Sequence, residues 1–259
     1  MLYVIVCTLT LVFAYLINIS YMSVFYHRGL THGAITFHPL MKKFVLATGV
    51  WMTGLDPKPW CCMHRMHHLY SDTEKDPHSP VNVGVFGVLW AQKIAFEAAM
   101  FGLMKGEEKY TSVVPDLDFP VNWNTRNNLF LAPYVLHGLI AGALGYFFGF
   151  GIGACYFVGM MSHPLQGWLV NSIGHFYGYR NFESPDNSKN NTLVALLVLG
   201  EGYQNNHHEK PQSATFAATK GEIDLGYYVC KGLAALGLIQ IVSEPKTPIA
   251  ISSLPSLNQ

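Results

Sequence analysis

Long apolar runs are the main feature of the hydrophobic pattern of this chain. The first, 2–26, is almost unbroken and has about the 20 residues that a membrane-spanning helix needs. The longest, 129–170, is roughly twice that length and has a glycine-rich middle, so it predicts a hairpin of two transmembrane helices, 129–147 and 150–170. We therefore expect an all-α integral membrane protein with about three transmembrane helices.

The N-terminal run has a secretory signal peptide as its alternative interpretation. No basic segment precedes it, and no small-residue cleavage site of the A-x-A kind follows it. Cleavage would also discard His27, a candidate metal ligand into which the run leads directly. We therefore interpret 2–26 as a retained transmembrane helix.

Shorter apolar segments predict helices that lie on the membrane surface. Segment 40–55 is too short for a span, and 83–104 is amphipathic, with Lys93 and Glu97 one helical turn apart. The tail, 243–259, is rich in Pro and Ser and is expected to be loosely ordered. Since the surface segments do not cross and the hairpin returns to its own side, the polar segments share one face. The distribution of Lys and Arg makes that face cytoplasmic, so a multi-pass protein with a helical cytoplasmic cap is expected.

The composition agrees with this architecture. Half of the 259 residues are hydrophobic and 12% are charged, whereas a soluble domain has about 25% charged residues. The formal net charge is zero and no long basic cluster occurs, which argues against nucleic-acid binding. The five cysteines lack C-x-x-C spacing, which argues against a disulfide framework. We interpret 1–259 as one domain.

The twelve histidines are the main candidates for chemistry, because most of them are clustered. Four clusters supply the candidate ligands: His27 and His32; His64, His67 and His68; Asn171 and His175; Gln204, His207 and His208. Spacings of three and four residues place side chains on one helical face. Imidazole binds iron, copper, zinc and nickel, and eight clustered imidazoles exceed what one ion can use. Two metal ions that share a set of nitrogen ligands are therefore the simplest interpretation.

A dimetal centre suits the removal of hydrogen from an unactivated alkyl chain, because side chains alone supply no oxidant of sufficient strength. A membrane metal transporter or sensor is an alternative, but its ligands would lie at mid-membrane on spanning helices. The remaining histidines are interpreted as structural: His38 and His137 as hydrogen-bonded residues, His78 as an interfacial polar residue, and His163 as part of an apolar stretch.

Four motifs carry a family resemblance: His27-Arg28-x-x-x-His32, His64-Arg65-x-His67-His68-x-x-Ser71-Asp72-x-x-x-Asp76-Pro77-His78, Asn171-x-x-x-His175 and Gly200-Glu201-Gly202-Tyr203-x-Asn205-x-His207-His208. Over about residues 15–240, the chain resembles the membrane acyl-CoA desaturases of the stearoyl-CoA Δ9 type. This resemblance implies that the eight clustered histidines ligate two iron ions, Fe2+, and that Asn171 holds one of them through a water. It further implies O2 as co-substrate, an acyl-CoA or acyl-lipid substrate in the bilayer, and a separate electron donor such as a ferredoxin or cytochrome b5.

The chain departs from the family pattern at several positions. Gln204 occupies the position of the first histidine of the last motif, so a Gln oxygen, a water or another histidine would replace one ligand. Gly33 stands where the family often has Arg, and the family's S-H-x-G-W segment is absent around 83–90. The chain also begins at what would be the second membrane helix of the family.

An acyl chain needs an apolar tunnel that ends beneath the metals. Helical spacing places four residues of the first span on the face of His27, and Trp60 lies where the family has a Trp; the tunnel candidates are Leu16, Ile19, Ser20, Ser23 and Trp60. No fused electron-transfer domain is visible in the sequence. A diiron hydroxylase or monooxygenase with the same ligands remains the alternative function, because ligand spacing does not separate the two reactions.

Overall fold

A computed structural model describes residues 1–242 of the chain and is largely helical. Its α-helices are α1 (Leu2–Ser20), α2 (Pro39–Thr53), α3 (Pro57–Tyr70), α4 (Pro80–Lys105), α5 (Glu108–Thr111), α6 (Trp123–Arg126), α7 (Ala132–Phe148), α8 (Phe150–Met160), α9 (His163–Trp168), α10 (Gly174–Phe176), α11 (Thr192–Leu197), α12 (Gln204–Glu209) and α13 (Leu225–Ala235). Two π-helical segments are π1 (Tyr21–Thr31) and π2 (Leu169–Ile173). The tail predicted to be loosely ordered, 243–259, lies outside the described residues.

The first apolar run forms one continuous helix, Leu2–Thr31, which consists of α1 and π1. It is long and apolar enough to cross a membrane, and many of its large side chains are exposed, including Leu9 and Phe13. The helix extends five residues beyond the predicted end at 26, so that His27 lies within it.

Helix α4 differs from the surface helix expected over 83–104. It begins at Pro80 behind Ser79, whose hydroxyl accepts a hydrogen bond from the Val81 N–H at 3.1 Å, and it ends at Gly106 with a left-handed backbone. Its charged residues Lys93 and Glu97 pair with each other at 2.6 Å. Within the described residues, α4 and Leu2–Thr31 are the two helices long and apolar enough to cross a membrane. Its place at the membrane surface therefore stays a prediction, and its length and composition favour a span.

The hairpin forms where it was predicted, but its second arm is shorter than 150–170. Helices α7 and α8 pack on each other, and α8 also packs against α1. The second arm ends at Met160, because Pro164 lacks the N–H that would continue the α-helix to the Met160 carbonyl and instead stands in the first turn of α9. The two arms have 17 and 11 residues, which is less than the 20 or so of a straight span.

A small two-stranded sheet departs from the all-α expectation. Strand β1 (Ile35–Phe37) pairs antiparallel with β2 (Ile239–Ile241), and Ile35 and Ile239 are buried. This pairing ties the segment after π1 to the segment after α13. A buried apolar core joins π1, α2 and α3.

Glycines set the close approach of the apolar helices. A Cβ atom at Gly159 would lie 2.7 Å from both Ala14 Cβ and Leu11 O, whereas one at Gly142 would meet nothing within 4 Å. Gly159→Ala should therefore separate α8 from α1 and destabilise the protein by about 1–3 kcal/mol. Gly142→Ala is the matched control and should be neutral or slightly stabilising. Thermal unfolding in detergent measures both, and equal midpoints would contradict the packing.

Candidate metal centre

The clustered histidines converge in two groups. The metal-binding nitrogens within each group lie within 4.8 Å of one another. The first group, here called the five-His group, is His27, His32, His64, His68 and His207. The second, the three-His group, is His67, His175 and His208. All eight predicted histidines are thus brought together, and each belongs to one group.

Helical geometry explains how one motif serves two groups. On α3, His64 and His68 are four residues apart and share a face, whereas His67 is rotated by about 100° from His68. His67 therefore joins the other group. The adjacent residues His207 and His208 on α12 are divided between the groups in the same way.

The π-helical geometry of π1 aligns His27 with His32. In an α-helix, residues five apart differ in direction by about 140°. Here the His32 N–H donates to the His27 carbonyl oxygen at 3.2 Å, which is the i to i+5 bond of a π-helix. Both rings consequently lie on one side, and both enter the five-His group.

The nitrogen spacing in the five-His group matches a coordination shell. Five Nε2–Nε2 distances are 2.8 Å for His27–His64, 3.0 Å for His27–His207, 3.1 Å for His32–His64, 3.0 Å for His64–His68 and 2.9 Å for His68–His207. Neighbouring ligands at right angles around an ion would lie about 3.0 Å apart if each bond is about 2.1 Å. Each ring carries one N–H when neutral, so these contacts cannot all be satisfied as hydrogen bonds. A cation at the centre fits this set of donors.

The three-His group has the same chemistry. The Nε2 atoms of its three rings are buried and have no hydrogen-bond partner. Each Nδ1 is held by a carboxylate, in the pairs His67–Asp76 at 2.9 Å, His175–Asp72 at 3.0 Å and His208–Asp186 at 2.6 Å. When Nδ1–H donates to a carboxylate, Nε2 keeps its lone pair for a metal. Because buried polar atoms are normally paired, three converging unpaired nitrogens fit a bound ion.

A buried charge network supports the five-His group. His27 Nδ1 lies 2.6 Å from Glu201 Oε2, and the other Glu201 oxygen lies 2.9 Å from Arg28. The Arg28 guanidinium, which is fully buried, also pairs with Asp224 at 3.0 Å and lies 3.9 Å from the centre of the Phe216 ring. The network holds the His27 ring in one orientation.

Close approach at the last motif requires glycine. Gly200 has a φ of 92°, and a Cβ atom there would collide with the Asp224 carboxylate. This backbone brings Glu201 and the start of α12 onto the Arg28 network.

Burial favours the neutral form of five of the clustered histidines. Burial, followed by the neighbouring imidazoles, holds the pKa values of His32, His64, His68 and His207 well below their ordinary range. Burial likewise lowers the pKa of His208 to about 4, although Asp186 opposes it. Burial acts to raise the pKa of Asp186, but the hydrogen bond and charge of His208, together with hydrogen bonds from Ser188 and Ser184, outweigh it and lower that pKa below its usual range. Neutral imidazole is the form that binds metals.

The other predicted site residues lie around these groups. Asn171, on π2, is buried and lines a cavity together with His27 and His64. Gln204 is buried at the start of α12, where its Nε2 donates to the Glu201 carbonyl oxygen at 2.7 Å.

The remaining histidines differ in their surroundings. As predicted, His137 is hydrogen-bonded, to the Tyr156 hydroxyl and the Trp51 carbonyl oxygen, both at 2.7 Å. His38 caps α2. His163 lines the cavity and lies outside both groups. The prediction that His78 is interfacial is wrong: its ring is buried 4.7 Å from that of His67, and burial lowers its pKa to about 3.

The cavity beside the five-His group has a volume of about 620 Å³ and mainly apolar walls. Ile19, Ser23 and Trp60 line it, whereas Leu16 and Ser20 do not. Trp60 also stacks on His64, with ring centres 5.2 Å apart and planes at 4°.

Sequence reasoning missed one wall of this cavity and the charged partners of the ligands. The missed wall comes from α4 and includes Leu89, Trp90, Phe96 and Met100. Asp72, Asp76 and Glu201 lie within the motifs. The spacing of residues gave no indication that these carboxylates orient the histidine rings.

Comparisons with known proteins agree with this site. The family model for fatty acid desaturase matches residues 3–218. An acyl-CoA 5-desaturase of Anemone leveillei is 32% identical over 225 residues, which are 85% of this chain and 66% of the relative. An icosanoyl-CoA 5-desaturase of Limnanthes douglasii is 33% identical over 227 residues, 85% of this chain and 60% of the relative.

A bacterial relative shows the same degree of similarity. An sn-1 stearoyl-lipid 9-desaturase of Synechocystis sp. is 33% identical over 222 residues, 85% of this chain and 66% of the relative. The chain thus spans about two thirds of the length of these curated relatives, or slightly less. Because the family model covers most of the chain, including every motif histidine, the chain belongs to the fatty acid desaturase family.

Proposed function

We propose that this protein is an O2-dependent fatty acyl desaturase with two iron ions held by its eight clustered histidines. The observation that carries the proposal is the convergence of two imidazole groups next to an apolar cavity, in a member of the fatty acid desaturase family. The five-His group would hold one iron and the three-His group the other. Asn171, which lines the cavity, would hold one of the irons through a water.

The overall reaction balances with an external electron source. Two adjacent methylene groups of the acyl chain each lose one hydrogen, and O2 takes up these two hydrogens, two electrons and two protons to give two water molecules. The two irons would supply the oxidising power for this step from O2 and the electrons. A separate protein of the ferredoxin or cytochrome b5 type would provide the electrons.

The chain's own residues would bind and position the acyl substrate. The apolar walls of the cavity exclude water, and Trp60, which stacks on the His64 ring, lines the cavity beside it. The relatives are named for acyl-CoA and acyl-lipid substrates and for double bonds at positions 5 and 9. We propose an acyl-CoA or acyl-lipid substrate here, with Δ9 as the expected position.

The proposed setting is a bilayer that the chain crosses more than once. The apolar surfaces of α1, α4, α7 and α8 support membrane insertion. The metal centre would then lie in the cap on the cytoplasmic face, where a soluble or membrane-anchored electron donor has access.

Expression in a desaturase-deficient host tests the activity. We expect a new monounsaturated fatty acid, with a mass two hydrogens below its precursor. His67→Ala should abolish it, because the three-His group would lose a ligand. His38→Ala, a histidine outside both groups, is the matched control and should retain most of the activity. Products that gain an oxygen instead would identify a hydroxylase, and no new product at all would refute the proposal.

The carboxylate partners should control metal affinity. Asp76→Asn weakens the acceptor for His67 Nδ1, which should lower iron affinity by about 10–100-fold. Asp118→Asn makes the same change at an exposed carboxylate paired only with Lys42, and it should bind iron as the wild type does. Iron content during competition with a chelator measures the effect. Equal retention in the two variants would contradict an orienting role for Asp76.

The cavity should limit the length of the acyl chain. Leu89→Trp adds volume to the α4 wall and should shift the products toward shorter acyl chains. Ile94→Trp adds the same ring to an exposed position of α4 outside the cavity and should leave the product profile unchanged. Fatty-acid profiling of cells that express each variant gives the answer. An unchanged chain-length distribution for Leu89→Trp would show that this cavity is not the acyl site.

A further inference from the structure

Gln204 begins α12 at a position of the motif where the resembling desaturases have a histidine. It precedes His207 and His208 by three and four residues, so it shares a helical face with His208, a member of the three-His group. Its side chain is 1% exposed. A buried amide needs partners for both its nitrogen and its oxygen.

The hydrogen bonds of Gln204 fix which end of the amide is free. Its Nε2 donates to the Glu201 carbonyl oxygen at 2.7 Å. A flipped amide would set two acceptor oxygens against each other, so the nitrogen belongs at this position. The Oε1 atom is therefore the free end, and it is buried without a hydrogen-bond partner.

The position of Gln204 connects it to two members of the three-His group. A Cβ atom on Gly174 would lie 2.6 Å from Gln204 Cγ, so the Gln204 side chain packs directly against the backbone that precedes His175. His208 lies one turn along α12. Gln204 Oε1 and the three Nε2 atoms of the three-His group are all buried without a hydrogen-bond partner, and Gln204 lies next to Gly174 and one helical turn from His208.

His78 is the competing candidate, since both of its ring nitrogens are buried and unpartnered. Its ring is inclined by only 22° to that of His67 and lies 4.7 Å away. A metal ion lies in the plane of each imidazole that binds it, and two such nearly parallel rings do not share an ion on their common side. Neither nitrogen of His78 falls within the three-His group.

We propose that Gln204 Oε1 is the fourth protein ligand of the ion bound by the three-His group. This inference rests on the proposed function, because it requires that group to bind iron. The centre is then asymmetric: one ion has five imidazole nitrogens and the other has three imidazole nitrogens and one neutral amide oxygen. An amide oxygen binds first-row transition metals less strongly than imidazole does, so the second ion is the more easily lost.

Iron content and Mössbauer spectra of 57Fe-loaded protein test the assignment without reference to activity. Gln204→Met keeps the length of the side chain and its contact with Gly174 but removes the oxygen. We expect its iron content to fall from two ions per chain to about one during dialysis against a chelator, with loss of one spectral component. Gln204→His should retain two ions and release the second more slowly than the wild type. Gln240→Met, at an exposed position of β2, is the matched control and should behave as the wild type.

The outcomes separate this inference from the proposed function. A wild-type protein that binds no iron refutes the proposed function. A wild type with two ions, together with a Gln204→Met variant that keeps both and an unchanged spectrum, overturns the role of Gln204 alone. If Gln204→Met does not fold, Gln204→His decides the question, because release of the second ion at the wild-type rate would equally overturn the assignment.

Discussion

The convergence of eight imidazoles on two buried points is the constraint on which the rest of this structure depends. Lone pairs aimed at one another in a low-dielectric interior repel unless a cation lies between them, and burial favours the neutral rings that such a cation needs. Four of the eight rings are held by carboxylates whose side chains are themselves buried, as in His67–Asp76 and His175–Asp72. The polar part of the structure is thus organised around the two histidine groups, and short helices such as α12 present their members.

Helix geometry divides neighbouring histidines between the two groups. An H-x-x-H-H motif presents its first and last members to one side and its middle member to another, because successive residues turn by about 100°. The motif on α3 follows this rule with His64 and His68 in one group and His67 in the other. In π1, the wider helix makes a spacing of five residues equivalent to one turn. A π-helix at this place allows a membrane helix to contribute two ligands at its end.

The sequence was sufficient to predict which histidines converge, the largely helical class and the apolar hairpin, because all of these follow from local spacing. It did not reveal features that depend on distant contacts. His78 has the composition of a surface turn around it, and its burial against His67 arises only when α3 and the following loop fold together. The carboxylate partners can lie far from their histidines in sequence, 103 residues for Asp72 and His175 and 174 for Glu201 and His27, and no local pattern records such pairing. The role of α4 as a cavity wall was hidden for the same reason.

The two groups differ in their surroundings: the five-His group borders the apolar cavity, and the three-His group does not. The cavity is lined by His27 and His64 of the five-His group, and no member of the three-His group lines it. The three-His group is instead enclosed by polar residues, among them Asp72, Asp76 and Asp186. A hydrocarbon chain in the cavity would therefore meet the centre on the five-His side. Charged carboxylates are costly to bury next to hydrocarbon. Because these three carboxylates surround the three-His group, they orient its histidines and stay away from the acyl chain. Two carboxylates do border the cavity. The charge of Glu201 is compensated there by Arg28 and a hydrogen bond from Ser23, and that of Glu97 by Lys93.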